Sequence, residues 1–157
     1  MHFIFKKLPL HINPIYGLGG LWILAYIPVF VRIKILTEKL KKEGKDFVVA
    51  NSRGITALMI DDTPLGMKIA NAMGCHENNY EALVSFSVAL FSCIVSNVDY
   101  DVQSGATALF LLIRMIYTFV YLSKFNGPLR TYLFNAGALV TAALLVIAGH
   151  KYGQHNF

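Results

Sequence analysis

Four apolar stretches, each long enough to cross a lipid bilayer as a helix, dominate this sequence. They lie at about residues 14–36, 64–96, 105–124 and 129–148. A spanning helix needs roughly 20 mainly apolar residues, and backbone polar groups in lipid must be satisfied inside helices or closed barrels. The sequence therefore predicts an all-α integral membrane protein with four transmembrane helices in one antiparallel bundle.

The composition agrees with insertion into a membrane. The 157 residues are enough for one domain, which we expect to cover residues 1–157. The chain is 55% hydrophobic and only 15% charged, a more apolar balance than soluble domains have. Its net charge of +5 comes from basic residues that lie mostly between the apolar stretches. Because this distribution is typical of membrane proteins, we expect membrane lipid and not nucleic acid as a partner.

The basic residues also predict an orientation in the membrane. Residues 37–63 form a charged, lysine-rich segment that is too polar to span a bilayer, and Arg130 follows the turn after the third stretch. The opposite side has fewer basic residues, and its connecting loop is acidic. Since basic loops stay in the cytosol, the first loop should be cytosolic. Both termini should then be lumenal or outside.

Polar side chains recur at three- and four-residue steps in two of the predicted helices. Asn78 and Glu81 share a face of the second helix, while Arg114, Tyr117 and Tyr121 form a stripe on the third. They should lie in the cytosolic half of the bundle at similar depth. Ionised groups in a membrane are costly unless they face a partner, a ligand or water. Spacing alone leaves open a ligand site, or a structural Glu81–Arg114 ion pair with tyrosines as interface anchors.

Other kinds of site have little support in the sequence. His76 has no second histidine or cysteine at ligand spacing around it, so we expect no metal site. Cys75, beside His76, is better interpreted as a small buried residue than as a nucleophile. There is no glycine-rich phosphate loop, serine triad or dinucleotide fingerprint.

The polar residues resemble the motifs of the MAPEG superfamily, the membrane-associated proteins of eicosanoid and glutathione metabolism. The second-helix motif H/Q-x-N-x-x-E-x-x-P-x-F is matched by residues 76–86, with Val84 where proline is usual. The motif R-x-x-Y-x-x-x-Y of the third helix is followed in the family by a basic residue near the next turn. The matching residues are Arg114, Tyr117, Tyr121 and Arg130. The resemblance covers about residues 14–148.

This resemblance implies a homotrimer that binds glutathione between neighbouring protomers, in a site open to the cytosol. Arg130 is implied to be catalytic, because a cation stabilises the glutathione thiolate. The thiolate would attack an apolar electrophile, or reduce a lipid hydroperoxide, delivered from the bilayer. The residues implied to bind glutathione are His76, Asn78, Glu81, Arg114, Tyr117 and Tyr121.

Two departures from the family pattern keep a second function open. Many active members carry arginine four residues before the motif asparagine, and often another at seven, where this chain has Gly74 and Asn71. The alternative is a non-catalytic MAPEG-like protein, either a lipid-binding module or a structural subunit of a larger membrane assembly. A small channel or transporter is a weaker third hypothesis, because the apolar fourth helix has no charged residue after Arg130 within its span.

Overall fold

Four long helices make up the part of the chain that the structure describes. The computed structural model describes residues 11–44, 60–123 and 127–156, with side chains as far as residue 154. Most of the predicted first loop (45–59), Lys6, Lys7 and the predicted end of the third helix at Lys124 lie outside these ranges. The helices are α1 (Pro14–Lys42), α2 (Pro64–Val95), α3 (Tyr100–Leu122) and α4 (Gly127–Asn156). All four are long and apolar enough to cross a membrane, which confirms the predicted all-α fold with four spanning helices.

Capping side chains start the first two helices. The Asn13 side chain accepts a hydrogen bond from the Ile15 amide at 3.0 Å, and the Thr63 hydroxyl accepts one from the Gly66 amide at 3.1 Å. A proline occupies the first turn of both helices, where its missing N–H has no intrahelical partner to lose. The helix starts therefore follow from the local sequence alone.

An ion pair joins the end of α1 to the start of α2. The Lys39 ammonium lies 2.6 Å from a carboxylate oxygen of Asp61, and the Thr63 amide donates to the same carboxylate at 3.1 Å. The hydrogen bond from Lys39, followed by those from Thr63, lowers the pKa of Asp61 below its ordinary value. Because residues 40–60 separate the two partners in sequence, the ion pair fixes the two ends of the first loop beside each other.

Helices α2 and α3 are the central pair of the bundle, and each packs on both α1 and α4. The main core lies between them, where the Phe86 and Phe110 rings stack with centroids 4.1 Å apart. At Gly17, α1 approaches α3 so closely that an added Cβ would overlap the Thr107 methyl group. Large apolar side chains also remain exposed on all four helices, among them Phe30, Phe91, Phe119, Leu139 and Val146. In a spanning bundle these side chains contact lipid.

Candidate functional site

The most buried charged group in the described chain is Arg114, on the third helix of the bundle. Its side chain is only 2% exposed. One terminal nitrogen donates to the Asn78 backbone carbonyl at 2.7 Å and to the Asn79 side-chain oxygen at 2.6 Å. Since a buried charge is tolerated only with close polar partners, these two bonds hold α3 against α2 at this level.

Neutral groups complete the surroundings of this arginine. The Asn79 amide donates to the Thr118 hydroxyl at 2.9 Å, and that hydroxyl donates to the Arg114 carbonyl at 2.8 Å. Within the described ranges no carboxylate lies at ion-pair distance from Arg114, so the alternative of a Glu81–Arg114 ion pair does not appear in the structure. The Arg114 Nε also has no hydrogen-bond partner there. The positive charge is therefore hydrogen-bonded but not neutralised.

Two tyrosines and a second arginine extend the site toward the start of α4. The guanidinium carbon of Arg114 lies 4.2 Å from the centroid of the Tyr117 ring, and that of Arg130 lies 4.6 Å from the Tyr121 ring. The two rings meet edge to face at 5.4 Å. Cation–π contacts of this kind hold each arginine on an aromatic face. We call these four residues the arginine–tyrosine ladder.

The ladder borders two cavities, and Phe134 lines both of them. One is an open depression of about 470 Å³ lined by Asn78, Tyr117, Tyr121, Gly127, Arg130, Thr131 and Phe134. The other is a cleft of about 270 Å³ between α2 and α4, with Arg114, Glu81, Ser85 and Thr141 among mainly apolar residues. Glu81 is exposed at this cleft. The site thus has two cations and one carboxylate around two neighbouring cavities.

Most of the predicted binding residues therefore lie together, but His76 does not. Its Nδ1 lies 2.8 Å from the Ala25 carbonyl of α1, and its ring packs beside Tyr26 with centroids 5.6 Å apart. His76 thus joins α2 to α1, on a different side of α2 from the ladder. Asn78, Tyr117, Tyr121 and Arg130 line the depression, while Glu81 and Arg114 line the cleft.

Two residues of the polar network were not singled out from the sequence. Asn79 and Thr118 are 4% exposed and carry the hydrogen bonds between α2 and α3. Asn79 continues the three- and four-residue phase of the buried positions of α2 through Ala72 and Cys75. A polar residue in the phase of the core is a signal that the sequence does contain.

The Tyr121 side chain packs directly against α2 at Gly74. A Cβ added to Gly74 would lie 2.8 Å from the Tyr121 hydroxyl oxygen and 3.6 Å from the ring carbon that bears it. The hydroxyl therefore occupies the space that a side chain at position 74 would need.

The fold and the site together define a multi-pass integral membrane protein with a polar site inside an apolar four-helix bundle. The family model of the MAPEG family matches residues 20–150. The chain therefore belongs to the MAPEG family, whose members take part in glutathione and eicosanoid metabolism. This confirms the predicted family. Comparisons with curated proteins and with solved structures gave no match.

Proposed function

We propose that this protein is a membrane-embedded glutathione transferase or peroxidase that acts on apolar electrophiles or lipid hydroperoxides. The observation that carries the proposal is the state of Arg114, a cation buried in a spanning helix with only neutral hydrogen-bond partners. Such a group is costly in a membrane. An anionic ligand that reached it would remove part of that cost, so the site favours a ligand with a carboxylate.

Glutathione fits this charge pattern, because it carries two carboxylates, one ammonium group and one thiol. We assign one carboxylate to Arg114, whose planar guanidinium suits carboxylate geometry. The exposed carboxylate of Glu81 would take the ammonium group. Asn78, Tyr117 and Tyr121 would bind the remaining polar groups along the depression. In the family's homotrimer, His76 of a neighbouring protomer could contribute to the same ligand, which is the role left for it here.

Arg130 is the residue that we assign to the chemistry. Its guanidinium lies over the Tyr121 ring at the open depression, where it is partly accessible. A cation beside a thiol favours the thiolate, which is the reactive form. The thiol proton leaves to solvent, and the sulfur lone pair forms the new bond to an electrophilic carbon as the leaving group of that carbon departs with its bonding electron pair. With a hydroperoxide, the sulfur attacks the outer oxygen, the O–O bond breaks and the alcohol leaves. A second glutathione then displaces water from the resulting sulfenic acid and forms the disulfide.

Glutathione and the apolar substrate would reach the site from different sides. Arg130 lies at the same end of the bundle as the basic last turn of α1, and this clustering supports a cytosolic position for that end. Glutathione, which is soluble, would enter there. The α2–α4 cleft is lined mainly by apolar residues and would admit an apolar substrate from the bilayer.

A specific observation favours the second candidate, a non-catalytic lipid-binding or structural member of the family. The Tyr121 hydroxyl fills the space beside Gly74, so no arginine at that position adds to Arg114 and Arg130. One terminal nitrogen of Arg114 is also already used by Asn78 and Asn79. Fewer free donors would weaken glutathione binding, and a partner or lipid would then be the physiological ligand.

Turnover of an Arg130 variant separates the two candidates. We expect Arg130→Ala to reduce conjugation of glutathione to 1-chloro-2,4-dinitrobenzene by tenfold or more, since each unit of thiol pKa corresponds to about a tenfold change in the acid–base equilibrium. Lys34→Ala, which removes an exposed charge from α1, is the matched control and should retain activity. Full turnover in a folded Arg130→Ala variant would refute the assigned role. A wild-type protein without turnover or glutathione binding would favour the non-catalytic candidate.

A further inference from the structure

Gly74 and Arg130 lie on different helices, but the Tyr121 side chain connects them. The Tyr121 hydroxyl lies directly beside the Gly74 backbone of α2. The face of the same ring carries the Arg130 guanidinium, 4.6 Å from its centroid. Gly74 is one of two glycines in α2, and a tyrosine hydroxyl can approach a helix this closely only where the helix has no side chain.

The size of the available space makes this arrangement dependent on glycine. A Cβ at position 74 would lie 2.8 Å from the hydroxyl oxygen, closer than carbon and oxygen approach without repulsion. A tyrosine ring is rigid beyond its two side-chain torsions. The hydroxyl can therefore move away only if the whole ring tilts, and the tilt carries the ring face away from Arg130.

We infer that Gly74 is a positioning residue. Because it has no side chain, the Tyr121 hydroxyl packs against α2, and the ring in this position holds Arg130 at the open depression. The contact is a property of the protein itself, whereas its consequence for catalysis rests on the proposed glutathione function. The family resemblance would place an arginine at position 74. In this chain, Gly74 and the Tyr121 hydroxyl instead set the position of Arg130.

The inference is tested by the reactivity of Arg130, which needs no glutathione. The purified protein in detergent is treated with phenylglyoxal, and modification of each arginine is followed by mass spectrometry, with Arg32 as the internal reference. Loss of one cation–π contact at a partly exposed site should raise the modification rate of Arg130 about two- to fivefold in Gly74→Ala. Gly19→Ala is the matched control, because a Cβ at that helical glycine meets nothing within 4 Å.

A second background shows whether the effect passes through the hydroxyl. Tyr121→Phe removes the oxygen that meets the new Cβ and leaves the ring carbon at 3.6 Å, an ordinary contact distance. Adding Gly74→Ala to Tyr121→Phe should therefore leave the Arg130 rate close to that of Tyr121→Phe alone. A purely structural effect of alanine would appear equally in both backgrounds.

Two results would overturn the inference: an unchanged Arg130 rate in Gly74→Ala, or the same increase with and without the Tyr121 hydroxyl. Size-exclusion profiles and melting curves identify variants that do not fold, for which the rate of Arg32 would rise as well. If the reactivity pattern is as expected but the wild-type protein does not bind glutathione, the positioning inference stands and the proposed function fails. If glutathione binds, Gly74→Ala should weaken turnover more than binding.

Discussion

Replacing Asn79 by alanine tests whether the buried network between α2 and α3 is the main polar contact of the bundle. The variant removes the acceptor 2.6 Å from the Arg114 nitrogen and the donor 2.9 Å from the Thr118 hydroxyl. A hydrogen bond to a charged group contributes about 1.5–3 kcal/mol. Neutral interhelical bonds in membranes average about 0.6 kcal/mol. Together they predict that Asn79→Ala lowers the free energy of unfolding by about 2–4 kcal/mol.

The neighbouring residue provides a matched control. Asn78 also contacts Arg114, but through its backbone carbonyl, so Asn78→Ala keeps that hydrogen bond. We expect Asn78→Ala to change the free energy of unfolding by less than about 0.5 kcal/mol. Both variants can be compared by reversible unfolding in mixed micelles with increasing dodecyl sulfate, followed by circular dichroism. Equal stability of the two variants would refute the assignment of Asn79 as the partner of Arg114.

Two further predictions concern the ends of helices and their closest approach. The pKa of Asp61 is lowered below 3.8 in the folded protein, so its ion pair with Lys39 stabilises the start of α2 above that pH and is lost as the pH falls through the lower folded value. The protection of the amides at the start of α2, measured relative to the intrinsic exchange rate at each pH, should therefore fall in acid, and Asp61→Asn should already show low protection near neutral pH. Identical protection in variant and wild type would contradict this. Gly17→Ala should lower the free energy of unfolding by about 1–3 kcal/mol, because the new Cβ overlaps Thr107. Gly19→Ala should be neutral or slightly stabilising. Melting curves in which Gly17→Ala is the more stable variant would disprove the close contact.

Hydropathy predicted the number and kind of the helices but not all of their ends. A polar stretch such as residues 150–156 leaves the membrane but can remain helical, so α4 continues to Asn156 instead of ending at about residue 148. The third helix begins at Tyr100, five residues earlier than predicted. Its first turns carry Gln103 and Ser104, which looked like turn residues but are buried, with the Gln103 side chain bonded to the Val98 carbonyl at 2.8 Å. Only the packing of other helices around that end makes those polar residues part of a helix.

The site shows a similar division between pattern and packing. Helical spacing was enough to place Arg114, Tyr117 and Tyr121 on one stripe. It could not tell which of the two adjacent asparagines faces α3, because that depends on the rotation of α2 about its axis. The structure gives the side-chain contact to Asn79 and the backbone contact to Asn78. The seating of Tyr121 on Gly74 depends on a distance between helices, which no single-helix pattern contains.

Calorimetry of glutathione binding to the detergent-purified protein tests the central claim most directly. The proposed function predicts saturable binding in the millimolar range or tighter, lost or strongly weakened in Glu81→Ala and Arg130→Ala and retained in Lys34→Ala. Those two residues line separate cavities beside the arginine–tyrosine ladder, so a common loss would mean that one ligand spans both. Absence of binding at millimolar glutathione, or binding that neither variant weakens, would contradict the claim.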